Sequence, residues 1–232
     1  MTNASDDTKT ETADEAAIGA GGDAQHHLIY VADPMCSWCW GFAPVMTRLL
    51  DVYGSRAQLH LIMGGLRAGT TQAMDTEQKS YIRGHWENVA ARSGQPFDYS
   101  LFERDDFIYD TEPACRAVVT ARNIDPRLAY AMMHAIQAAF YRDARDVTSG
   151  DVLADLAEGV GLNRGVFRTA LDSEDARQHT AQDFATTQRA GIPGFPTVLL
   201  GDGGSALQLV SNGYQAFEPI AARLDTLLAA SP

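Results

Sequence analysis

Two kinds of hydrophobic pattern alternate along the chain, and their order predicts the fold. Short apolar runs rich in β-branched and aromatic residues are typical of buried strands, and they occur at residues 28–32, 59–63 and 196–200. Between the first two runs, apolar residues recur every three to four positions over residues 38–53, as on one face of a helix. A strand, a helix and a second strand at this spacing predict a β-α-β unit with parallel strands.

Helical periodicity dominates the middle of the chain, and the strand pattern returns near its end. The predicted helices cover residues 74–91, 113–122, 126–141, 151–158, 164–171 and 173–190. After them, residues 196–200 and 206–210 flank a glycine-rich turn and predict a hairpin, and residues 217–228 predict a last helix. We therefore predict an α/β protein with a thioredoxin fold (β-α-β … β-β-α) and an inserted α-helical domain.

The same patterns divide the chain into three parts. Residues 1–27 contain no aromatic residue and carry several acids against a single Lys9, so we expect a disordered acidic tail. Residues 28–67 and 191–232 are assigned to the thioredoxin-like domain, and residues 68–190 to the inserted helical domain. Residues 1–22 lack the basic and apolar regions of a secretory signal, and we therefore expect a cytoplasmic protein.

Charge and hydropathy exclude two classes of partner. The net charge of −12 argues against nucleic-acid binding, which needs clustered lysine and arginine. No apolar run is long enough to cross a bilayer, so we expect no membrane partner either.

Two of the three cysteines lie close together at the predicted junction between a strand and a helix. Cys36 and Cys39 enclose Ser37-Trp38, whereas Cys115 is far away in the sequence. At a helix N-terminus, unpaired backbone N–H groups and the helix dipole favour a thiolate, so we expect Cys36 to be the nucleophile. Cys39, one turn further along, is the expected resolving cysteine, which attacks the mixed disulfide and releases the partner.

Two structural alternatives compete with a redox role for the cysteine pair. A structural zinc site needs four ligands, but Cys115 stands alone and the six histidines are not in ligand spacing with it, so we expect no metal. A chance pairing of two buried cysteines is the other alternative. Cys115 has Val118 and Val119 at helical spacing, which predicts inert packing in a core, with a regulatory thiol as the alternative.

A proline opens the third predicted strand, where it contributes no N–H to the sheet. If the Phe195–Pro196 bond is cis, the bend would face the cysteines and leave the backbone of Phe195 free to pair with an extended peptide. An ordinary turn before a strand is the alternative. We take Trp38, Phe195 and Pro196 as candidate substrate-binding residues.

Three other side chains near the cysteines have two possible roles each. Trp40 and Phe42 could extend an apolar rim around the sulfurs or belong to the core, and we favour the core for Phe42. Asp33 could act in proton transfer, but we favour capping or solvation for its carboxylate.

His26-His27 is expected to be a solvated start to the fold.

Residues 33–42 (DPMCSWCWGF), with Pro44 five residues after Cys39, resemble the DsbA-like branch of thioredoxin-fold proteins. They are most similar to its FrnE-like group of cytoplasmic predicted protein disulfide isomerases. Residues 112–117 (EPACRA) and 191–197 (GIPGFPT) are similar to that group too, and the resemblance spans residues 28–228. It implies a thioredoxin domain with a helical insertion, a nucleophilic Cys36, a resolving Cys39 and a cis-proline at Pro196. Some FrnE-like proteins carry further cysteines towards the C-terminus, and this chain has none after Cys115.

The sequence therefore predicts a thiol–disulfide oxidoreductase that reduces or isomerises protein disulfides. A reducing cytoplasm keeps such a pair as a dithiol, which favours reduction or isomerisation over net oxidation. The expected partners are disulfide-containing proteins and a thiol reductant such as thioredoxin or glutathione, and no cofactor is expected. Two alternatives remain open: a glutathione-dependent isomerase or transferase of small molecules, and a chaperone-like binding protein that uses the helical block.

Overall fold

The computed structural model describes residues 26–204 and 207–230. Its strands are β1 (His26–Ala32), β2 (Ala57–Met63), β3 (Thr197–Gly201) and β4 (Leu207–Asn212). Its helices are α1 (Ser37–Tyr53), α2 (Thr76–Ser93), α3 (Glu112–Ile124), α4 (Ala129–Tyr141), α5 (Gly150–Gly159), α6 (Arg164–Leu171), α7 (Glu174–Arg189) and α8 (Phe217–Ala230). Two 3-10 helices cover Tyr99–Glu103 and Pro126–Leu128.

The four strands form one sheet in the order β2-β1-β3-β4. β1 runs parallel to β2 and antiparallel to β3, and β3 runs antiparallel to β4. The central strand β1 is paired on both sides, so that Tyr30 lies between Leu61 and Val198. This sheet, with helices packed on it and six α-helices between β2 and β3, confirms the predicted α/β class and thioredoxin fold.

The inserted helices pack tightly on α1, the helix that begins next to Cys36. At Gly41 a Cβ atom would stand 2.7 Å from Cγ1 of Val89 on α2, closer than real side chains come. Val89 is fully buried, so it would have to shift within the core to make room. Gly41 therefore allows α1 and α2 to approach this closely.

A proline inside α1 creates a second link to the insertion. Pro44 has no N–H, so the carbonyl of Trp40, four residues earlier, lacks its usual helical donor. The side chain of Gln95 supplies a replacement hydrogen bond to this carbonyl at 3.1 Å. The indole N–H of Trp40 in turn donates to the carbonyl of Pro96 at 3.0 Å. One short segment after α2 thus binds both the backbone carbonyl and the indole N–H of Trp40.

Aromatic residues fill the core of the inserted helices. The ring of Trp86, on α2, lies 4.8 to 5.6 Å from the rings of Phe97, Phe102, Phe140 and Tyr141. Tyr141 also stacks on Trp40 of α1, with 6.2 Å between ring centroids. The buried residues of the insertion and those around the sheet therefore form one continuous core.

Three local predictions differ from the structure. β1 begins at His26, two residues earlier than expected, because its parallel pairing with β2 extends to Ala57. His26 is buried, and the ring of His27 lies within hydrogen-bonding distance of His60, at 2.9 Å, so the solvated start predicted for these two histidines is wrong. The chain after Asp125 begins with a 3-10 turn, which the Asp125 carboxylate caps at the N–H of Arg127, before α4 starts.

Some expectations concern residues that the structure does not describe. The acidic tail, apart from its last two residues, lies outside the described residues, and so does Ala206, the predicted first residue of the last strand. Among the described helices, none combines the length and apolar character that spanning a membrane requires.

Candidate active site

Cys36 lies at the turn between β1 and α1, as the N-cap residue of the helix. Its backbone is extended (φ −89°, ψ 117°), and its carbonyl accepts a hydrogen bond from the N–H of Trp40 at 3.1 Å. Its Sγ atom lies 3.8 Å from the carbonyl oxygen of Phe195. Only 5% of Cys36 is exposed, and both Cys36 and Cys39 are free thiols in this structure.

Cys39 lies one turn deeper and is completely buried. Burial raises the pKa of its thiol well above the ordinary value, and the neighbouring Cys36 thiol adds to this effect. Tyr30 of β1 is also buried, its ring packs against Phe42, and its hydroxyl lies against Cys39. The Tyr30 hydroxyl has no hydrogen-bond partner among the described residues. Cys39 is therefore closed off from solvent.

Asp33 is a fully buried carboxylate beneath the two cysteines. Its oxygens accept hydrogen bonds from the N–H groups of Met35 at 2.8 Å and Leu66 at 2.7 Å. Burial raises the pKa of this carboxyl group, and the two hydrogen bonds oppose that rise. Asp33 thus joins the turn before Cys36 to the loop after β2, and it caps backbone groups without being solvated.

Cys115, on α3, is fully buried as predicted. Its Sγ donates a hydrogen bond to Oδ2 of Asp33 at 3.4 Å, and burial raises the pKa of its thiol well above the ordinary value. Its spacing with Val118 and Val119 indicated the burial, but nothing local in the sequence indicated the contact with Asp33.

Tyr109 is a part of the site that the sequence gave no reason to select. Its hydroxyl donates to the carbonyl of Met35 at 2.7 Å and lies 3.3 Å from the hydroxyl of Tyr141. Burial raises the pKa of Tyr109, so it stays a neutral donor. The inserted helices thereby fix the residue that immediately precedes Cys36.

The Phe195–Pro196 peptide bond is cis, and the bend lies beside Cys36. Pro196 is buried, and Phe195 precedes Thr197, the first paired residue of β3, so its backbone lies outside the sheet ladder. The ring of Phe195 covers Gly64, where an added Cβ would stand 2.0 Å from Cζ of that ring. The backbone of Phe195 therefore lies at the candidate site, while its ring packs on the end of β2.

Trp38 is half-buried, whereas Trp40 and Phe42 are 3% and 0% exposed. Trp40 and Phe42 thus belong to the core, and an apolar rim that includes them is excluded. The ring of Trp38 lies 5.8 Å from that of Tyr214, which follows β4. The guanidinium of Arg92, in the last turn of α2, lies 5.7 Å from the centroid of Trp38 and 5.8 Å from that of Tyr214.

Within residues 26–204 and 207–230, no three histidine, cysteine or acidic side chains are grouped closely enough to hold a metal ion. The described site is built from two thiols, one buried carboxylate, hydroxyl groups and backbone carbonyls. These groups are suited to exchange reactions of sulfur.

The DSBA-like thioredoxin domain matches this chain over residues 27–225. The chain belongs to this family. The match includes Cys36, Cys39 and Pro196, and the family is one of thiol–disulfide oxidoreductases of thioredoxin fold. The predicted relationship to DsbA-like proteins is therefore confirmed.

Solved structures of this family resemble the chain over most of its length. A candidate protein disulfide isomerase from Nitrosomonas europaea is 36% identical, with a TM-score of 0.84 over 89% of this chain and 99% of that one. The cytosolic disulfide reductase DsbM from Pseudomonas aeruginosa is 31% identical, with a TM-score of 0.74 over 88% of this chain and 98% of that one. A second structure of DsbM contains GSH.

More distant curated relatives carry a different description. The ClpXP adapter protein SpxH of Bacillus subtilis is 25% identical over 72% of this chain and 55% of its own length. SpxH of Halalkalibacterium halodurans is 23% identical over 71% of this chain and again 55% of its own length. The chain thus spans little more than half the length of these relatives.

Proposed function

We propose that the protein is a thiol–disulfide oxidoreductase that reduces or isomerises disulfides through Cys36 and Cys39. The observation that carries the proposal is the position of two free thiols at the N-terminus of α1, with Cys36 Sγ 3.8 Å from the cis-proline loop. The similarity to a disulfide reductase and to a candidate disulfide isomerase supports it.

The proposed reaction proceeds in two exchanges. The thiolate of Cys36 attacks one sulfur of the substrate disulfide, which forms a mixed disulfide and releases the first substrate thiolate. Cys39 then loses its proton and attacks the sulfur of Cys36, which releases the second thiolate and leaves a Cys36–Cys39 disulfide. Two electrons pass from the protein to the substrate, and an external thiol reductant returns them. In isomerisation a substrate thiol displaces Cys36 instead, and no net electrons move.

The cis-proline loop is the proposed substrate-binding surface. The backbone of Phe195 lies outside the ladder and beside Cys36, where an extended segment that carries a disulfide could pair with it. Trp38 and Pro196 would contact the same segment. We propose disulfide-containing proteins as substrates, thioredoxin or glutathione as the reductant, no bound cofactor, and a cytoplasmic site of action, as the neighbour DsbM is described as cytosolic.

Insulin reduction and refolding of a scrambled disulfide protein, both with glutathione as reductant, test the proposal. Cys36→Ser should abolish both activities, and Cys39→Ser should accumulate a mixed disulfide with the substrate. Cys115→Ser is the matched control, because it removes the thiol outside the pair and keeps a donor for Asp33. Wild-type activity no greater than that of Cys36→Ser in either assay would refute an oxidoreductase function.

Two other functions predict different results for variants of the same two cysteines. A glutathione-dependent isomerase or transferase of small molecules would keep its turnover in Cys39→Ala. An adapter or chaperone-like binding protein, as the description of the SpxH relatives suggests, would keep its partner binding when both cysteines are replaced. The arrangement of Cys39 behind Cys36 favours the oxidoreductase, because neither alternative requires a second thiol there.

A further inference from the structure

Arg92 is an exposed cation beside the candidate active site. Most described arginines pair with a carboxylate, but no acidic side chain of the described chain lies within ion-pairing distance of Arg92. Arg92 differs from most other unpaired arginines in its position, because it lies against Trp38, between the two cysteines of the pair. A guanidinium without an ion pair is available to a carboxylate from outside the protein.

The guanidinium of Arg92 lies near two aromatic rings, one from the cysteine segment and one from the segment after β4. Trp38 belongs to the segment between the two cysteines, and Arg92 lies 5.7 Å from its ring centroid. Tyr214 lies at 5.8 Å, and its hydroxyl also donates to the backbone carbonyl of Arg92 at 3.3 Å. The preceding residue, Gly213, donates its N–H to the carbonyl of Pro196 at 2.7 Å. Arg92 is thus linked to the cysteine turn on one side and to the cis-proline loop on the other.

We propose that Arg92, which lies beside the rings of both Trp38 and Tyr214, binds a carboxylate of the substrate and makes the site selective for anionic disulfides. The proposal rests on the function proposed above and adds the charge of the preferred substrate. Guanidinium groups bind carboxylates in a two-pronged geometry, and stacking on aromatic rings restricts their motion beforehand. Glutathione disulfide and disulfides within acidic peptide segments belong to this class.

A structural role for Arg92 is the alternative. A cation in the last turn of a helix interacts favourably with the helix dipole, and the stacked rings could simply fix the end of α2. In that case Arg92 would affect stability and all substrates equally, without regard to their charge.

Three small disulfides separate these roles: glutathione disulfide is anionic, hydroxyethyl disulfide is neutral, and cystamine is cationic. Each is mixed with the fully reduced protein, and thiol loss is followed by acid quenching, maleimide labelling and mass spectrometry. Each rate constant is divided by that of dithiothreitol with the same disulfide, which removes differences in intrinsic reactivity. The measured quantity is the ratio of the corrected anionic rate to the neutral and cationic rates.

We expect the ratio to favour glutathione disulfide in the wild type and to fall by about fivefold in Arg92→Gln. Arg92→Glu should reverse the preference towards cystamine. Arg83→Gln is the control, because Arg83 lies on the same helix and stacks on Tyr99 at 4.9 Å but pairs with Glu87. Unchanged ratios in both Arg92 variants would overturn the carboxylate site alone. A wild-type protein that reacts with no disulfide would overturn the proposed oxidoreductase as well.

Discussion

At the scale of single residues, the two cysteines of the pair have different surroundings, although they are close together in the sequence. Cys36 lies at the helix end beside a polar carbonyl, whereas Cys39 is enclosed by Tyr30, Asp33 and the core. Burial disfavours the charged form of Cys39, so in the proposed mechanism the second exchange begins from a neutral thiol.

The release of substrate should therefore be strongly pH-dependent. Because burial raises the pKa of Cys39, each unit of pH below that pKa lowers its thiolate fraction about tenfold. We expect the mixed disulfide on Cys36 to resolve about ten times faster at pH 8.5 than at pH 7.5. Rapid mixing with glutathione disulfide, followed by acid quenching and mass spectrometry, measures its lifetime. A lifetime that does not change between these two pH values would contradict the role of a neutral Cys39.

Asp33 should make a large contribution to stability, and one that depends on pH. Asp33→Ala leaves the N–H groups of Met35 and Leu66 without acceptors in a buried place, so we expect a loss of about 2–4 kcal/mol in urea unfolding. The raised pKa means that the folded protein holds this proton more tightly than the unfolded chain does. The contribution of Asp33 is therefore complete below the ordinary carboxyl value of 3.8, and it declines as the pH rises through the raised folded value.

The cost of Asp33→Ala should accordingly be greater at pH 4 than at pH 7.5. Asp98→Ala is the matched control, because Asp98 caps a 3-10 helix at the surface and its pKa is lowered by hydrogen bonds from Ser100. The contribution of Asp98 to stability depends on pH in the opposite direction, and it is lost as the pH falls. Equal costs for Asp33→Ala at the two pH values would show that its ionisation does not affect stability.

At the scale of secondary structure, the close contact between α1 and α2 can be tested with two helical glycines. Gly41→Ala would bring a methyl group against the buried Val89, so we expect a destabilisation of about 1–3 kcal/mol. Gly84→Ala, in the interior of α2, has no heavy atom within 4 Å of the new methyl group apart from its chain neighbours and the nearby backbone of its own helix, and it should stabilise by up to about 1 kcal/mol. Thermal unfolding of both variants measures the difference. A Gly41→Ala protein as stable as wild type would show that the helices can separate freely.

The sequence predicted the elements well where hydrophobic periodicity is strong. The strands of the sheet, α1 and most inserted helices have the expected positions because their apolar spacing is local. The sequence predicts a start for β1 that is too late, because His26 and His27 are polar. Only the pairing with β2 shows that they belong to the strand.

Only part of the candidate site could be predicted, because several of its contacts join segments that are distant in the sequence. The helix-end position of Cys36 follows from the junction of strand and helix, which is a local pattern. The burial of Asp33 does not, because a lone acidic residue is usually solvated and its partner Leu66 comes from another loop. Tyr109 and Arg92 reach the site from the insertion, and contacts between distant segments leave no periodic pattern in a single sequence.

At the scale of the whole molecule, the insertion and the sheet share one core. Trp40 connects them through its stacking on Tyr141 and through its two hydrogen bonds to the segment after α2. The turn before Cys36 is likewise held by Tyr109 from the insertion. Stability of the active site therefore depends on the helical part as well as on the sheet.

We expect the molecule to unfold in one cooperative step. Tryptophan fluorescence reports on α1 and on the insertion, through Trp40 and Trp86, whereas far-ultraviolet circular dichroism reports on all helices. Because the core is continuous, the two urea transitions should coincide. Separate midpoints would show that the helical part unfolds independently of the sheet.

The slight exposure of Cys36 has a consequence for the shape of its substrates. Only 5% of this residue is accessible, and the Phe195 carbonyl lies directly beside its sulfur. A disulfide on a flat, rigid surface has difficulty approaching a sulfur that is covered to this extent. If Cys36 is the attacking sulfur, as proposed, we expect small molecules, chain ends and unfolded segments to react with it more readily than the native disulfides of folded proteins.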